Sequence, residues 1–140
     1  MRSVNSRRAI ALAVAAVLAG APVAHAFDAN GEVTEKSSPF ALFKFGFKAY
    51  KKGKKNDAVE AYRYAAEKGH AGGMAMFGDL LFQNGKTVRG LASLTAALQR
   101  SEPQDRAWIS AMQEQAFALA GEADRRTAMA LADEMIRNGQ

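Results

Sequence analysis

The chain has 140 residues, no cysteine and a formal net charge of +5 at neutral pH. Without cysteine it can form neither disulfides nor thiolate metal sites, and it has no thiol nucleophile. A chain of this length supports one hydrophobic core, so the fold must rest on packing within a single small domain.

Residues Met1–Ala26 have the layout of a secretory signal peptide. Three arginines precede an apolar stretch at 9–19, and Ala24-His25-Ala26 supplies a small-x-small cleavage site. We therefore predict cleavage between Ala26 and Phe27 and a periplasmic location. A cut after Ala21 and an uncleaved membrane anchor are the alternatives. Loss of the three arginines would lower the net charge to +2.

Six helices are predicted after a polar, flexible arm at residues 27–38. Ser38 and Pro39 start the first helix, because serine caps free N–H groups and proline suits the first turn. Glycines close the helices by adopting the left-handed conformation. The closing glycines are Gly53, Gly69, Gly85 and Gly121, and Asn56-Asp57 caps the second helix. The predicted helices are Pro39–Lys52, Asp57–Lys68, Met74–Asn84, Val88–Arg100, Pro103–Ala120 and Ala123–Asn138.

Residues 39–138 contain an internal repeat with a period of 32 residues. The matched positions include Phe45-Gly46 with Phe77-Gly78, Gly53-Lys54 with Gly85-Lys86, and Tyr62 with Leu94. This period, with two helices per unit, is typical of a helical solenoid. We predict an all-α fold, a short α/α solenoid of two hairpins followed by a degenerate terminal hairpin. Phe45, Phe77, Tyr62 and Leu94 should be largely buried, and Trp108 and Phe117 should pack the terminal hairpin onto the fourth helix.

The run from Asp57 to Ala71, DAVEAYRYAAEKGHA, resembles the second helix and turn of a Sel1-like repeat. That family has a small residue and an aromatic residue in this helix, then Ala-Ala, an acidic residue and Gly-His. Gly78 and Gly85 resemble the glycines of the next unit. The resemblance implies a stack of tetratricopeptide-like helical hairpins.

A second resemblance covers most of residues 27–137 and is carried by whole strings. The strings are residues 40–50, 57–71, 74–82, 113–117 and 122–128. They resemble a family of exported negative regulators of exopolysaccharide production in rhizobia. The resemblance implies a periplasmic repressor that binds the periplasmic domain of a membrane sensor histidine kinase. Members of that family are longer, so this chain resembles a shortened form that lacks middle repeats.

The residues that could carry chemistry do not favour an enzyme. His70 is the one histidine after the predicted cut, so a histidine-based metal site or a histidine-activated nucleophile cannot form. We interpret His70 as a turn residue, with a proton-sensitive switch as the alternative. A glycan hydrolase would need two carboxylates facing across a cleft, which suits a short solenoid poorly. We predict no catalysis, no cofactor, no nucleic-acid ligand and no small-molecule substrate.

Two sets of side chains in the first hairpin have competing interpretations. Lysines crowd the end of the first helix, at positions 48, 51, 52, 54 and 55. They favour a solvated helix end, because cations are stabilised at a helix C-terminus. Attraction of an acidic partner is the functional alternative, and a nucleic-acid or lipid ligand is a further one. The aromatic residues Phe40, Phe43, Phe45, Phe47 and Tyr50 could line a groove, but we expect most of them in the core.

The first helix of each hairpin generally lines the concave face of a solenoid. We therefore predict contacts with a protein partner at Lys44, Lys48, Lys51, Asp79 and Gln83. A structural or assembly role is the alternative function. In that case, a partly capped solenoid end would expose apolar surface and self-associate.

Overall fold

A computed structural model describes residues 33–139. The predicted signal peptide and its cleavage site lie outside the described residues, as does the first part of the predicted arm. The six helices are α1 (Pro39–Lys51), α2 (Lys55–Glu67), α3 (Ala71–Gln83), α4 (Thr87–Arg100), α5 (Pro103–Leu119) and α6 (Glu122–Arg137). The predicted all-α class is confirmed: across residues 33–139 the only β feature is a single-residue bridge at Thr34. None of these helices is long and apolar enough to cross a membrane.

Helices α1, α2 and α3 all end at a glycine in the left-handed conformation, as predicted. Gly53, Gly69 and Gly85 have φ angles of 75°, 83° and 81°. After each glycine, the next N–H donates to a carbonyl five residues earlier. These bonds are Lys54 to Ala49 at 2.9 Å, His70 to Ala65 at 3.0 Å and Lys86 to Leu81 at 2.9 Å. Such endings satisfy carbonyls that the helix leaves unpaired.

The helix starts agree with the sequence less well. Ser38 caps α1 as predicted, since its Oγ accepts the N–H of Ala41 at 3.2 Å. The predicted cap at Asn56-Asp57 is wrong: α2 begins at Lys55, and Lys54 at the N-cap makes no side-chain bond. Gly121 does not close α5 in a left-handed conformation but forms the N-cap of α6, with a φ of −72°.

The largest boundary difference is at α3, which begins at Ala71 instead of Met74. Gly72 and Gly73 look like turn residues but lie buried in its first helical turn. A Cβ atom on Gly73 would lie 2.6 Å from the Cβ of Ala65. Gly73 therefore serves the close packing of α3 on α2, and the sequence pattern did not reveal that role.

His70 is the N-cap of α3, and its Nδ1 accepts the N–H of Gly73 at 2.8 Å. Its ring also packs on Phe43, with 4.9 Å between the ring centroids. Burial lowers the pKa of His70 below its ordinary value of 6.5, while the charge of Asp105 acts in the opposite direction. Only the neutral form of His70 can cap α3 in this way, because a protonated Nδ1 cannot accept a hydrogen bond.

Glycines also set the distance between the helices of each hairpin. A Cβ atom on Gly90 of α4 would lie 2.6 Å from the backbone nitrogen of Phe82 and 2.7 Å from the carbonyl oxygen of Gly78. In α1, a Cβ atom on Gly46 would lie 2.7 Å from the ring of Tyr62. Gly46 and Gly78 are matched positions of the repeat, so both hairpins close on a glycine of their first helix.

The buried side chains form two clusters. The smaller consists of Ala49, Ala58, Tyr62 and Leu80. The larger joins α4 to α5, α6 and the neighbouring ends of α2 and α3, and most of its members are alanines. Tyr62 and Leu94 are fully buried, as predicted. Phe45 and Phe77 are only partly buried, and they pack against the smaller cluster.

Helix α1 faces the core with Leu42, Gly46 and Ala49. Three of its aromatic residues, Phe43, Phe45 and Tyr50, pack against the smaller cluster, as expected. Phe40 and Phe47 do not, and their exposed fractions are 62% and 43%. Gly46 faces α2, and successive residues of a helix are about 100° apart around its axis. The side chains of Phe40 and Phe47 therefore point about 100–120° away from the direction of Gly46.

The two final helices both cover α4. The Nε2 of Gln113 in α5 donates to the Oγ1 of Thr95 at 3.4 Å, and the Sδ of Met129 in α6 lies 4.0 Å from that oxygen. Trp108 and Phe117 are partly buried against the larger cluster, consistent with the predicted packing on α4. Helices α5 and α6 contact α4 far more than they contact each other. They therefore close the end of the solenoid without pairing along their lengths.

Substitution of Gly90 by alanine tests the close approach of α3 and α4. Alanine favours a helix by up to about 1 kcal/mol over glycine. The added Cβ nevertheless meets backbone atoms that cannot move aside, so we expect a net loss of about 1–3 kcal/mol in the free energy of unfolding. Urea denaturation measures the change. Gly121→Ala is the control, because nothing lies within 4 Å of its Cβ position, and its effect should be much smaller. Wild-type stability in Gly90→Ala would contradict the close packing.

The cap at His70 predicts how stability depends on pH. The pKa of His70 is lower in the folded chain than in the unfolded chain, so its stabilising contribution is complete above pH 6.5 and falls as pH drops below that value. His70→Asn keeps a capping side chain but removes this titration. Urea unfolding one pH unit above and one below 6.5 should show a larger loss for the wild type than for the variant. Equal losses would show that another group causes the dependence.

Candidate functional site

The predicted partner contacts lie on the first helices of the two hairpins. Lys44, Lys48 and Lys51 are exposed on α1. In α3, the Nε2 of Gln83 donates to the Oδ2 of Asp79 at 2.6 Å. Asp79 is half-buried and its burial raises the pKa of this carboxyl, while the bond from Gln83 opposes that rise. Lys51 and Gln83 are matched positions of the repeat, whereas Lys44, Lys48 and Asp79 match Met76, Leu80 and Phe47.

The two halves of this face differ in charge. On α1, the lysine side chains lie over exposed rings: the Nζ of Lys51 is 4.6 Å from the ring centre of Phe47, and that of Lys44 is 5.7 Å from Phe40. On α3, the single carboxylate of Asp79 is held by its neighbour Gln83. The face is therefore strongly basic only along α1.

A second candidate surface is a groove of about 450 Å³ that four helices enclose. We call it the α2–α6 groove. It is lined by Arg63, Ala66 and Glu67 of α2, Met74 and Phe77 of α3, Arg89 and Ser93 of α4, Leu131 and Met135 of α6, and Gly139 after α6. Half of these residues are apolar, two of them methionines, and charged groups lie on α2 and α4. This combination is typical of a site that binds a partner through apolar contact.

The two arginines of the groove differ in whether a neighbouring carboxylate balances their charge. Arg63 donates to Glu60 and to Glu67, both at 3.0 Å, so its charge is already balanced on α2. Arg89 is exposed, and within the described part of the chain it has no ion pair or hydrogen bond. It lies in the first turn of α4, a turn with no acidic residue. The groove therefore offers one positive group, at a helix end that also favours negative charge.

Sequence reasoning did not find the α2–α6 groove. Its far wall is built by α6, and the packing of that helix on α4 could not be inferred from a segment that departs from the repeat. Phe77 was expected in the core because it matches Phe45, but its position at the groove leaves it partly exposed. The one available signal was Arg89, a cation in the first helical turn of α4, where acidic side chains are favoured.

The described surfaces offer several kinds of contact to a partner. Within residues 33–139, no three histidine, cysteine or acidic side chains lie close enough to hold a metal ion. The carboxylate that lines the groove, Glu67, is engaged by Arg63. What the geometry offers a partner is apolar contact, the guanidinium of Arg89 and the exposed first-helix face.

Comparison with known proteins agrees with the resemblance seen in the sequence strings. The chain is 31% identical over 248 aligned positions to the "Exopolysaccharide production negative regulator" of Rhizobium meliloti (strain 1021), covering 90% of this chain and 92% of that protein. It is 30% identical over 244 positions to the protein of the same name from Rhizobium leguminosarum bv. viciae, covering 87% and 91%. No protein-family model matches the chain, and no solved structure matches it.

Both relatives are named as regulators and not as enzymes. The chain belongs to the family of exopolysaccharide production negative regulators.

Proposed function

We propose that the protein represses exopolysaccharide production from the periplasm by binding the periplasmic domain of a membrane sensor histidine kinase. The observation that carries the proposal is the α2–α6 groove, an apolar groove with one unpaired arginine in a chain of a regulator family. Interfaces between proteins are enriched in methionine, aromatic residues and arginine, which are the side chains found here.

The groove also suggests which part of the partner it receives. Phe77, Leu131 and Met135 are partly exposed and can cover apolar side chains of a partner segment, while Arg89 can pair with a carboxylate. Because Arg63 is already paired on α2, the groove has one free positive charge and no free negative charge among its described residues. The occupant is therefore an apolar segment of the sensor domain that carries an acidic residue.

Charge reversal at Arg89 tests this assignment. Arg89→Glu should weaken binding of the isolated sensor domain by roughly tenfold or more, because the acidic group of the partner would face a like charge. Arg89 is exposed, so the thermal midpoint should hardly change. Titration calorimetry with residues 27–140 gives the affinity.

Arg126→Glu is the matched control. Arg126 lies on α6 outside the groove, and its ion pair with Glu122 is highly exposed, so losing it should cost little stability. Equal affinities of Arg89→Glu and Arg126→Glu would exclude the groove. If Lys48→Glu or Gln83→Ala then weakened binding, the predicted first-helix contacts would form the interface in its place.

Self-association is the second candidate function, and the exposure of Leu119 favours it. This residue ends α5 with an exposed fraction of 73%, the largest among the exposed large apolar side chains described. An assembly role predicts that residues 27–140 form dimers or larger species that Leu119→Ser disrupts. Sedimentation velocity over a wide concentration range measures this. A monomer at every concentration would exclude assembly.

A further inference from the structure

The outward face of α1 carries a stripe of alternating aromatic and basic side chains. Phe40, Lys44, Phe47 and Lys51 follow one another at intervals of four, three and four residues, which places them in one row along a helix. We call this row the α1 stripe. Phe40 and Phe47 are two of the four exposed large apolar side chains in the described part of the chain. Leu42, Gly46 and Ala49 anchor the opposite side of the helix in the core.

The charge of the protein is concentrated around the same helix. The segment 36–56 contains seven lysines and no acidic residue, whereas the segment 57–139 contains nine basic and eleven acidic residues. All seven lysines are exposed, and none forms an ion pair with another described residue. The remainder of the fold is slightly negative, so the protein has one strongly basic end, and that end carries the two exposed rings.

The residue types favour a lipid surface over a protein partner. Interfaces between proteins are depleted in lysine and use arginine for ion pairs. All basic residues of the segment 36–56 are lysines, and none is arginine. Lysine with exposed phenylalanine is typical of helices that lie on an anionic bilayer. There, flexible lysines reach phosphate groups that have no fixed arrangement, while aromatic rings enter the boundary between headgroups and acyl chains.

We propose that the α1 stripe and its neighbouring lysines dock the protein on a bilayer surface rich in anionic phospholipid. Helix α1 lies flat on this surface, with Phe40 and Phe47 inserted at the headgroup boundary. Lys44 and Lys51 leave the two rings and bind lipid phosphates. No α1 residue lines the α2–α6 groove, so the docked protein keeps that groove open. The docking does not depend on the proposed kinase contact.

Co-sedimentation with lipid vesicles tests the proposal. Residues 27–140 retain all six helices and both core clusters, and they lack the apolar leader that would itself bind lipid. This chain should bind vesicles that contain phosphatidylglycerol, release them as salt is raised, and bind pure phosphatidylcholine vesicles weakly. The double variant Phe40→Ser with Phe47→Ser keeps the charge and should bind phosphatidylglycerol vesicles roughly tenfold less or weaker still.

Leu119→Ser is the matched control, because it removes an exposed apolar side chain from another surface, and its vesicle binding should equal that of the wild type. Lys44→Gln with Lys48→Gln should reduce the dependence on salt. Equal binding of the phenylalanine double variant and the wild type would overturn the proposal, since charge alone would then explain attachment. Equal binding to phosphatidylcholine would overturn it as well.

A protein interface at the α1 stripe would give a different result. In that case, vesicles would not bind, and the phenylalanine double variant would lose affinity for the isolated sensor domain in the absence of lipid. That result would overturn membrane docking while supporting kinase binding. Failure of the proposed function gives the opposite pattern, because Arg89→Glu would have no effect on sensor-domain binding while the wild type would still bind anionic vesicles.

Discussion

The fold depends on how closely helices can approach where one of them carries glycine. At Gly78 and Gly90 the backbones of α3 and α4 nearly touch, and a single added carbon atom would lie under 3 Å from backbone atoms of the facing helix. Gly46 gives α1 the same closeness to the ring of Tyr62. Because the domain has no disulfide, this contact distance determines how much apolar surface the short helices bury against each other.

Close helices leave little space for large side chains between them. The larger core cluster is accordingly built mostly from alanine, with Leu91, Leu94 and Ile109 as its largest fully buried members. The smaller cluster contains one large buried ring, that of Tyr62, whose hydroxyl has no hydrogen-bond partner among residues 33–139. Burial, with a smaller effect of Tyr50, raises the pKa of Tyr62 to about 12. The ring of Tyr62 packs against Gly46, and most other aromatic residues lie at the margins of the core.

The sequence predicted the elements that depend on local chemistry. Left-handed glycines at 53, 69 and 85 and the serine cap at Ser38 need only their neighbours, so the repeat and the all-α class could be predicted. The start of α3 could not be predicted, because two glycines in a row usually indicate a turn. Gly72 and Gly73 are helical here, and the contact of Gly73 with Ala65 of α2 explains why glycine is needed. The α2–α6 groove was missed for a similar reason. The groove exists only because α6 packs on α4. The hydrophobic periodicity of the sequence does not predict such a contact between distant segments.

The same constraint separates the two candidate surfaces. Since Gly46 must face α2, Phe40 and Phe47 are turned outward beside Lys44 and Lys51, and the α1 stripe follows from packing on the other side of the helix. The α2–α6 groove is built from four other helices and is lined in part by Arg89, whose charge no described residue balances. A protein held on a lipid surface by α1 would thus present its groove at a restricted distance from the membrane. For a partner anchored in that membrane, such confinement raises the effective concentration of the groove without any new contact between the two proteins.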